Sequence, residues 1–301
     1  MIETAVIGLR WVQYLAATAA LGLTAFGAQA LDDRLRRAVV PYSMSAGGLL
    51  VASALGGVLA QTAMMAGSWT AGLDPVALGY VVQSTGPGGA HILRAGLALA
   101  GVLVLLIGHG TRRATAGAIL AFAAAMASFA WSGHGAATEG GPGLVHLAAD
   151  LAHLLAAAVW LGALFGFCLL LTRPRPGDIA ATSRALVGFA NLGTGAVAVL
   201  VATGAVNAGF LVGVNGLSRI TGSTWGVLLL VKLALFALML GLAAHNRFRL
   251  APALSRAVND GVGTGSPIRR LRTSVGLETL AGVALLAAVA AMGVQIPPAA
   301  L

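Results

Sequence analysis

The sequence predicts an all-α integral membrane protein, a bundle of eight transmembrane helices with both termini on the outer side. Three observations carry this. Hydrophobic residues make up 58% of the 301-residue chain and charged residues only 9%, where soluble domains carry about 25% charged. Eight apolar stretches reach the ~20 residues that a helix needs to cross a bilayer. The basic residues fall in alternate loops. Composition therefore excludes a soluble domain, a disordered chain and a nucleic-acid-binding module. The mean hydropathy of +0.90 agrees.

The spans are expected at residues 4–30, 41–66, 90–109, 114–133, 144–171, 184–213, 224–246 and 274–296, within one membrane domain covering residues 1–301. They are long and uniformly apolar, without the ~10-residue alternation of a β-barrel strand. The first is expected to be retained. Ala28-Gln29-Ala30 resembles a cleavage site, but Glu3 precedes the apolar run and the arginines follow it, the reverse of a secretory signal. The second ends in Met64 and Met65. The connection at 67–89 contains Trp69, Asp74, Pro75 and Tyr80, which suits a short interfacial helix. His91 and Arg94 open the third span, and Trp131-Ser-Gly-His134-Gly closes the fourth. The fifth holds His146, Asp150, His153 and Trp160. Asn207, Lys232 and Glu278 lie in the sixth, seventh and eighth. The connection at 249–272, with its Gly-Val-Gly-Thr-Gly-Ser-Pro run, has the composition of a flexible linker.

Charge gives orientation. Arg34, Arg36 and Arg37 follow the first span, Arg112 and Arg113 the third, and Arg173, Arg175 and Arg184 the fifth. Arg247, Arg249, Arg256, Arg269, Arg270 and Arg272 follow the seventh. These are fourteen of the 18 basic residues. The positive-inside rule then puts both termini outside. The net charge of +9 records topology and does not imply a nucleic-acid partner. The single cysteine, Cys168, excludes an internal disulfide and a CxxC pair. No P-loop, GxSxG or HExxH occurs, so the chain reads as a binder rather than an enzyme.

Polar residues inside a membrane are costly and mark function. At about 100° per residue, His146, Asp150, His153 and Trp160 share one narrow helical stripe descending from the outer face. His134 ends the neighbouring span at that face. Imidazole suits copper, zinc, iron or nickel, and a nearby carboxylate can ligate or orient a ring. The structural alternative is a polar clamp between helices. Met64 and Met65 add thioethers that favour Cu(I), or simply fill space. His91 and Arg94 fit a site or interfacial snorkelling. Lys232, near mid-depth, should face the bundle and find a partner, with Glu278 a candidate. Asn207 is a further buried polar group. His109 and His245 read as solvated span ends, and Cys168 as core. Two histidines from different helices at one depth could also hold haem b, an electron-transfer alternative. A quinone-linked role would need a lipid-facing pocket.

The run Asp150-Leu-Ala-His153-Leu-Leu-Ala-Ala-Ala-Val-Trp160-Leu-Gly162 resembles the signature of the copper resistance protein D family. Ser132-Gly133-His134, Met65-Ala-Gly-Ser68, the stretch 85–94 and Thr203-Gly204 with Asn207 fit the same pattern. So do Trp225-Gly226 through Lys232 and Ala243-Ala-His-Asn246-Arg247 followed by Pro252. The resemblance spans the second to the eighth helix. It implies a multi-pass protein of the bacterial inner membrane in copper homeostasis, with both termini periplasmic. It further implies movement of copper, as Cu+ or Cu2+, from periplasm toward cytoplasm. A periplasmic carrier of the copper resistance protein C type would be a separate chain. On this reading His134, Asp150 and His153 form the entry, and His146, Met64 and Met65 are further candidate ligands. His91, Arg94, Trp160, Asn207, Lys232 and Glu278 support it or line a path. A sensor or scaffold that binds copper without moving it is the remaining alternative.

Overall fold

A computed structural model describes residues 1–30, 32–133, 138, 140–172, 178–213, 216–261 and 263–300. Among these, regular structure is helical and no strand occurs. The α-helices are α1 (Ile2–Ala30), α2 (Asp33–Ala66), α3 (Pro75–Ser84), α4 (Gly86–Ile107), α5 (Arg112–Ala127), α6 (Gly140–Thr172), α7 (Asp178–Val212), α8 (Thr224–His245), α9 (Ala251–Asn259) and α10 (Gly265–Met292). Eight segments are long and apolar enough to cross a membrane, in the order the sequence predicts. The protein is thus a multi-pass membrane protein whose lipid-facing surface is apolar helix.

Most helices begin earlier than apolar patterning suggests, and in α2, α4 and α5 a polar side chain caps the first turn. The Asp32 carboxylate accepts from the backbone of Arg34 and Leu35, starting α2 well before Pro41. Thr85 caps α4 by accepting from Gly88, with Pro87 in the first turn where its missing N–H costs nothing. Asp74 and Pro75 start α3, the short helix expected between the second and third spans. The connection at 249–272 departs from the flexible linker expected. A π-helical turn at Asn246–Leu250 leads into α9, and α10 already starts at Gly265. The physical reason is periodicity: Leu250, Leu254 and Ala257 recur on one face and are buried, which outweighs the glycines that follow.

α1 is the hub, packing on α2, α5, α6 and α10. Its crossing with α6 is a backbone contact. A Cβ added at Gly162 would lie 2.6 Å from the carbonyl carbon of Gly22, and Gly22 meets Gly162 in the same way. Small residues at a crossing let membrane helices approach this closely. The indole N–H of Trp11 donates to the Val283 carbonyl at 3.1 Å, tying α1 to α10.

Arginines at the starts of α2 and α5 gather on one face. Arg36, buried at 4% exposure, donates to the Gly110 carbonyl at 2.6 Å and to Asp33 at 3.1 Å. Arg112 also reaches Asp33, at 3.2 Å, and Arg34 pairs with Asp178. These bonds join the starts of α2, α5 and α7 to the end of α4. At the opposite face, Arg10 near the start of α1 donates to the Ser132 carbonyl at 3.1 Å, and Gly293 beyond α10 packs on the same guanidinium. α7 and α8 are the least enclosed spans, with 17% and 6% of their apolar windows buried. α7 leans on α6, and α8 on α10, with no substantial contact between the two.

Candidate functional site

Two polar clusters lie in the half of the bundle opposite the arginine-rich face. The first joins α1, α2, α4 and the turn at Ser128–Ser132. Arg94 is fully buried at 0% exposure. Its Nε donates to Ser128 Oγ at 3.0 Å, and one terminal nitrogen donates to Ser132 Oγ at 2.6 Å. The other donates to Gln13 Oε1 at 2.7 Å and to His91 Nδ1 at 3.1 Å. The guanidinium lies over the Phe129 ring, 3.6 Å from its centre, and Tyr14 stacks behind that ring. Gln13 in turn donates to the Ser53 carbonyl at 3.0 Å. Gly57 makes room, since a Cβ there would lie 2.6 Å from His91 Cε1. No carboxylate among the described residues pairs with Arg94, so its charge is held by neutral acceptors and a ring face.

This bonding settles the His91 tautomer. Arginine can only donate, so His91 Nδ1 accepts and the proton sits on Nε2. Both ring nitrogens are then committed, one to Arg94 and one to hydrogen. The geometry makes His91 a structural acceptor and Arg94 a four-way tie between helices, not a snorkelling pair.

The second cluster runs along α6 and faces α7 and α8. His153 Nδ1 lies 2.9 Å from Thr203 Oγ1. That hydroxyl has one proton, and it goes to the Val199 carbonyl at 2.6 Å. Its oxygen must therefore accept from His153 Nδ1–H, which leaves Nε2 with a free lone pair. This is the arrangement that fixes a metal-ligating imidazole. Two turns up, His146 is 1% exposed, stacks on Phe210 at 4.6 Å and pairs with Thr138 Oγ1 at 2.8 Å. These two contacts set the antiparallel register of α6 and α7. That register puts Asn207 within one residue of the level of Asp150. Asn207 Oδ1 is buried without a partner.

Lys232 lies one turn before Phe236 on α8, and Phe236 packs on Trp160, which places Lys232 at a level between His153 and Trp160. Glu278, the candidate partner for Lys232, makes no ion pair with it among the described residues. Glu278 instead accepts from Asn246 Nδ2 at 2.8 Å, toward the arginine-rich face. The reason is depth: Lys232 and Asp150 both sit outward of Trp160, whereas Glu278 is level with the end of α8.

The structure does not gather every predicted ligand. His146 and His153 are seven residues apart, about 10 Å along the helix, too far for one ion to bind both with Asp150. No trio of His, Cys, Asp or Glu among the described residues is grouped to hold a metal. Met64 and Met65 end α2 at 40% and 53% exposure. Trp160 is buried against Phe236 at 5.8 Å. His134 lies outside the described residues. Among the described residues no facing histidine pair suited to haem emerges, because His91, His146 and His153 face Arg94, Phe210 and Thr203. Cys168 bonds Thr279 at 3.2 Å, in line with a core role. Sequence reasoning missed Gln13, Ser53, Ser128 and Phe210, and marked Thr203 only through the family pattern. Gln13 carried a signal, as an amide within an apolar span.

An eight-span bundle with a histidine–carboxylate stripe along one helix defines a polytopic membrane protein with polar side chains inside its spans. Residues 1–144 match the family described as copper resistance protein D-like, N-terminal domain, and residues 183–292 match copper resistance protein D. The chain is 37% identical over 305 aligned residues to copper resistance protein D of Pseudomonas syringae pv. tomato, covering 97% of this chain and 96% of that one. It is 26% identical over 289 residues to the inner membrane protein YebZ of Escherichia coli K12, covering 93% and 96%. No solved structure matches it. The chain belongs to the copper resistance protein D family. That membership places it in copper resistance and homeostasis, as a multi-pass protein of the inner membrane.

Proposed function

We propose that the chain binds copper in the outer leaflet, on α6, and passes it from periplasm toward cytoplasm as a carrier rather than an enzyme. One observation carries the reading: His153 is oriented by Thr203 so that Nε2 is free, in the same stripe as Asp150. Asn207 Oδ1, unpartnered at that level, supplies a further oxygen. His134, His146, Met64 and Met65 would receive the ion above this point, as Cu+ or Cu2+. The positive-inside rule makes the arginine-rich face cytoplasmic, so the stripe opens to the periplasm. A carrier of the copper resistance protein C type would deliver the ion there. Lys232 beneath the stripe repels a cation, so release inward requires Asp150 to shield that charge.

The test has two parts. Elemental analysis of purified protein should show bound copper that His153→Ala loses. Sealed vesicles should accumulate copper in their lumen when the periplasmic face is outward. Full copper retention by His153→Ala would overturn the site. Binding without lumenal accumulation would overturn transport and leave a sensor or scaffold.

A further inference from the structure

We infer that the cleft between α7 and α8 binds a membrane-dissolved amphiphile with a hydroxylated aromatic head, the chemistry of a quinol. The cleft has a volume of about 760 Å3, within the range of small-molecule sites, which are mostly apolar with a few placed polar groups. Its walls include Trp160, Phe167 and Phe189, and its floor holds Glu278 and Asn246. It lies about 10 Å inward of His153 along α6, counted at 1.5 Å per residue to Trp160. It begins at Trp160, where the stripe ends, and none of His146, Asp150 and His153 lines it. α7 and α8 are the least enclosed spans and do not pack on each other, so the cleft opens sideways into the bilayer.

The floor specifies the head group. Glu278 is 1% exposed and Asn246 8%. Asn246 Nδ2 donates to Glu278 Oε2, yet Glu278 Oε1 and Asn246 Oδ1 are both buried with no partner. Two orphaned oxygens at the end of an apolar cleft call for a ligand that donates hydrogen bonds. A phosphate or carboxylate head brings acceptors and negative charge to a carboxyl group, and does not fit. A lone cation would leave the aromatic walls uncovered. A ring hydroxyl on an apolar tail satisfies both ends. The π-helical turn at Asn246–Leu250 is the device that turns Asn246 inward, and such turns recur at functional sites. At the mouth, Arg247 is held by the Ala190 carbonyl at 2.7 Å and by Thr194, which keeps the entrance propped between α7 and α8.

The test uses the full protein in nanodiscs, titrated with decylubiquinol under nitrogen while tryptophan fluorescence is followed. Saturable quenching is expected, most of it absent in Trp160→Phe. Ala244→Trp, which fills the cleft from its exposed side, and Glu278→Leu should each weaken binding at least tenfold. Oxidised decylubiquinone, with acceptors only, should bind at least tenfold more weakly. Phosphatidylglycerol, a hydroxylated head without a ring, should not displace the quinol. Non-saturable quenching, or equal binding by Ala244→Trp, would overturn the inference. Displacement by phosphatidylglycerol would reassign the cleft to a bilayer lipid and overturn it equally. Copper binding by Ala244→Trp checks the fold, and loss of the quinol leaves the copper reading standing.

Discussion

Replacing Gly162 by alanine tests the crossing that seats the histidine stripe. The new Cβ would lie 2.6 Å from the carbonyl carbon of Gly22, where carbon atoms pack at about 3.5–4.0 Å. The obstacle is backbone, so no rotamer change relieves it, and α1 and α6 must part by roughly 1 Å. That separation loosens Trp160, Leu161 and Leu164, which are buried beside the crossing. Overpacking of this kind costs about 1–3 kcal/mol. A chain of this size loses about 2–4 °C of melting temperature per kcal/mol. A fall of about 3–10 °C is therefore expected, read from thermal melting in mild detergent. Gly8→Ala is the control, because nothing lies within 4 Å of its added Cβ; it should be neutral or slightly stabilising through helix propensity. The double variant Gly22→Ala with Gly162→Ala should cost less than the two singles together, since one separation accommodates both. If Gly162→Ala melts with Gly8→Ala, the close crossing is wrong.

Three more outcomes follow from the polar clusters. Arg94→Lys keeps the charge but cannot reach Gln13, His91, Ser128 and Ser132 together. With about 1–3 kcal/mol for each stranded buried partner, melting should fall further than in Gly162→Ala, and Arg94→Leu should fall at least as far. Thr203→Val removes the acceptor that holds the His153 tautomer, so copper affinity against a competing chelator should drop about 10–100-fold, with Thr203→Ser restoring most of it. Lys232→Met removes the positive charge that stands one turn from Phe236, at the end of the stripe. Copper should then bind about fivefold more tightly, the size of a charge interaction near 1 kcal/mol; weaker binding would show that Lys232 supports the site.

The spans were legible because a bilayer demands length and apolarity, and both are written locally. The stripe on α6 was legible for the same reason, since helical spacing alone aligns His146, Asp150 and His153. What those residues touch was not. Phe210 looks like an ordinary span residue, and Thr203 stands out only through the family pattern, until the register of α6 against α7 is set by packing. The roles of His91 and His153 also separate only in three dimensions: both are histidines near the outer face, but one accepts from an arginine and the other donates to a threonine. Lys232 was recognised as needing a partner, yet its neighbour depends on depth within the bundle. The capped polar first turns of α2, α4 and α5 escaped because hydropathy marks the hydrocarbon core and not the helix. The cleft at Glu278 had no sequence signature beyond a buried carboxylate, because a gap between two helices belongs to neither.

The most direct test of the central claim is copper bound per protein, by elemental analysis, in two histidine variants side by side. His91→Gln keeps an acceptor for Arg94 and should retain wild-type copper. His153→Ala removes the free Nε2 beside Asp150 and should lose it. Retention by His153→Ala with loss from His91→Gln would contradict the account, placing the ion in the Arg94 cluster instead.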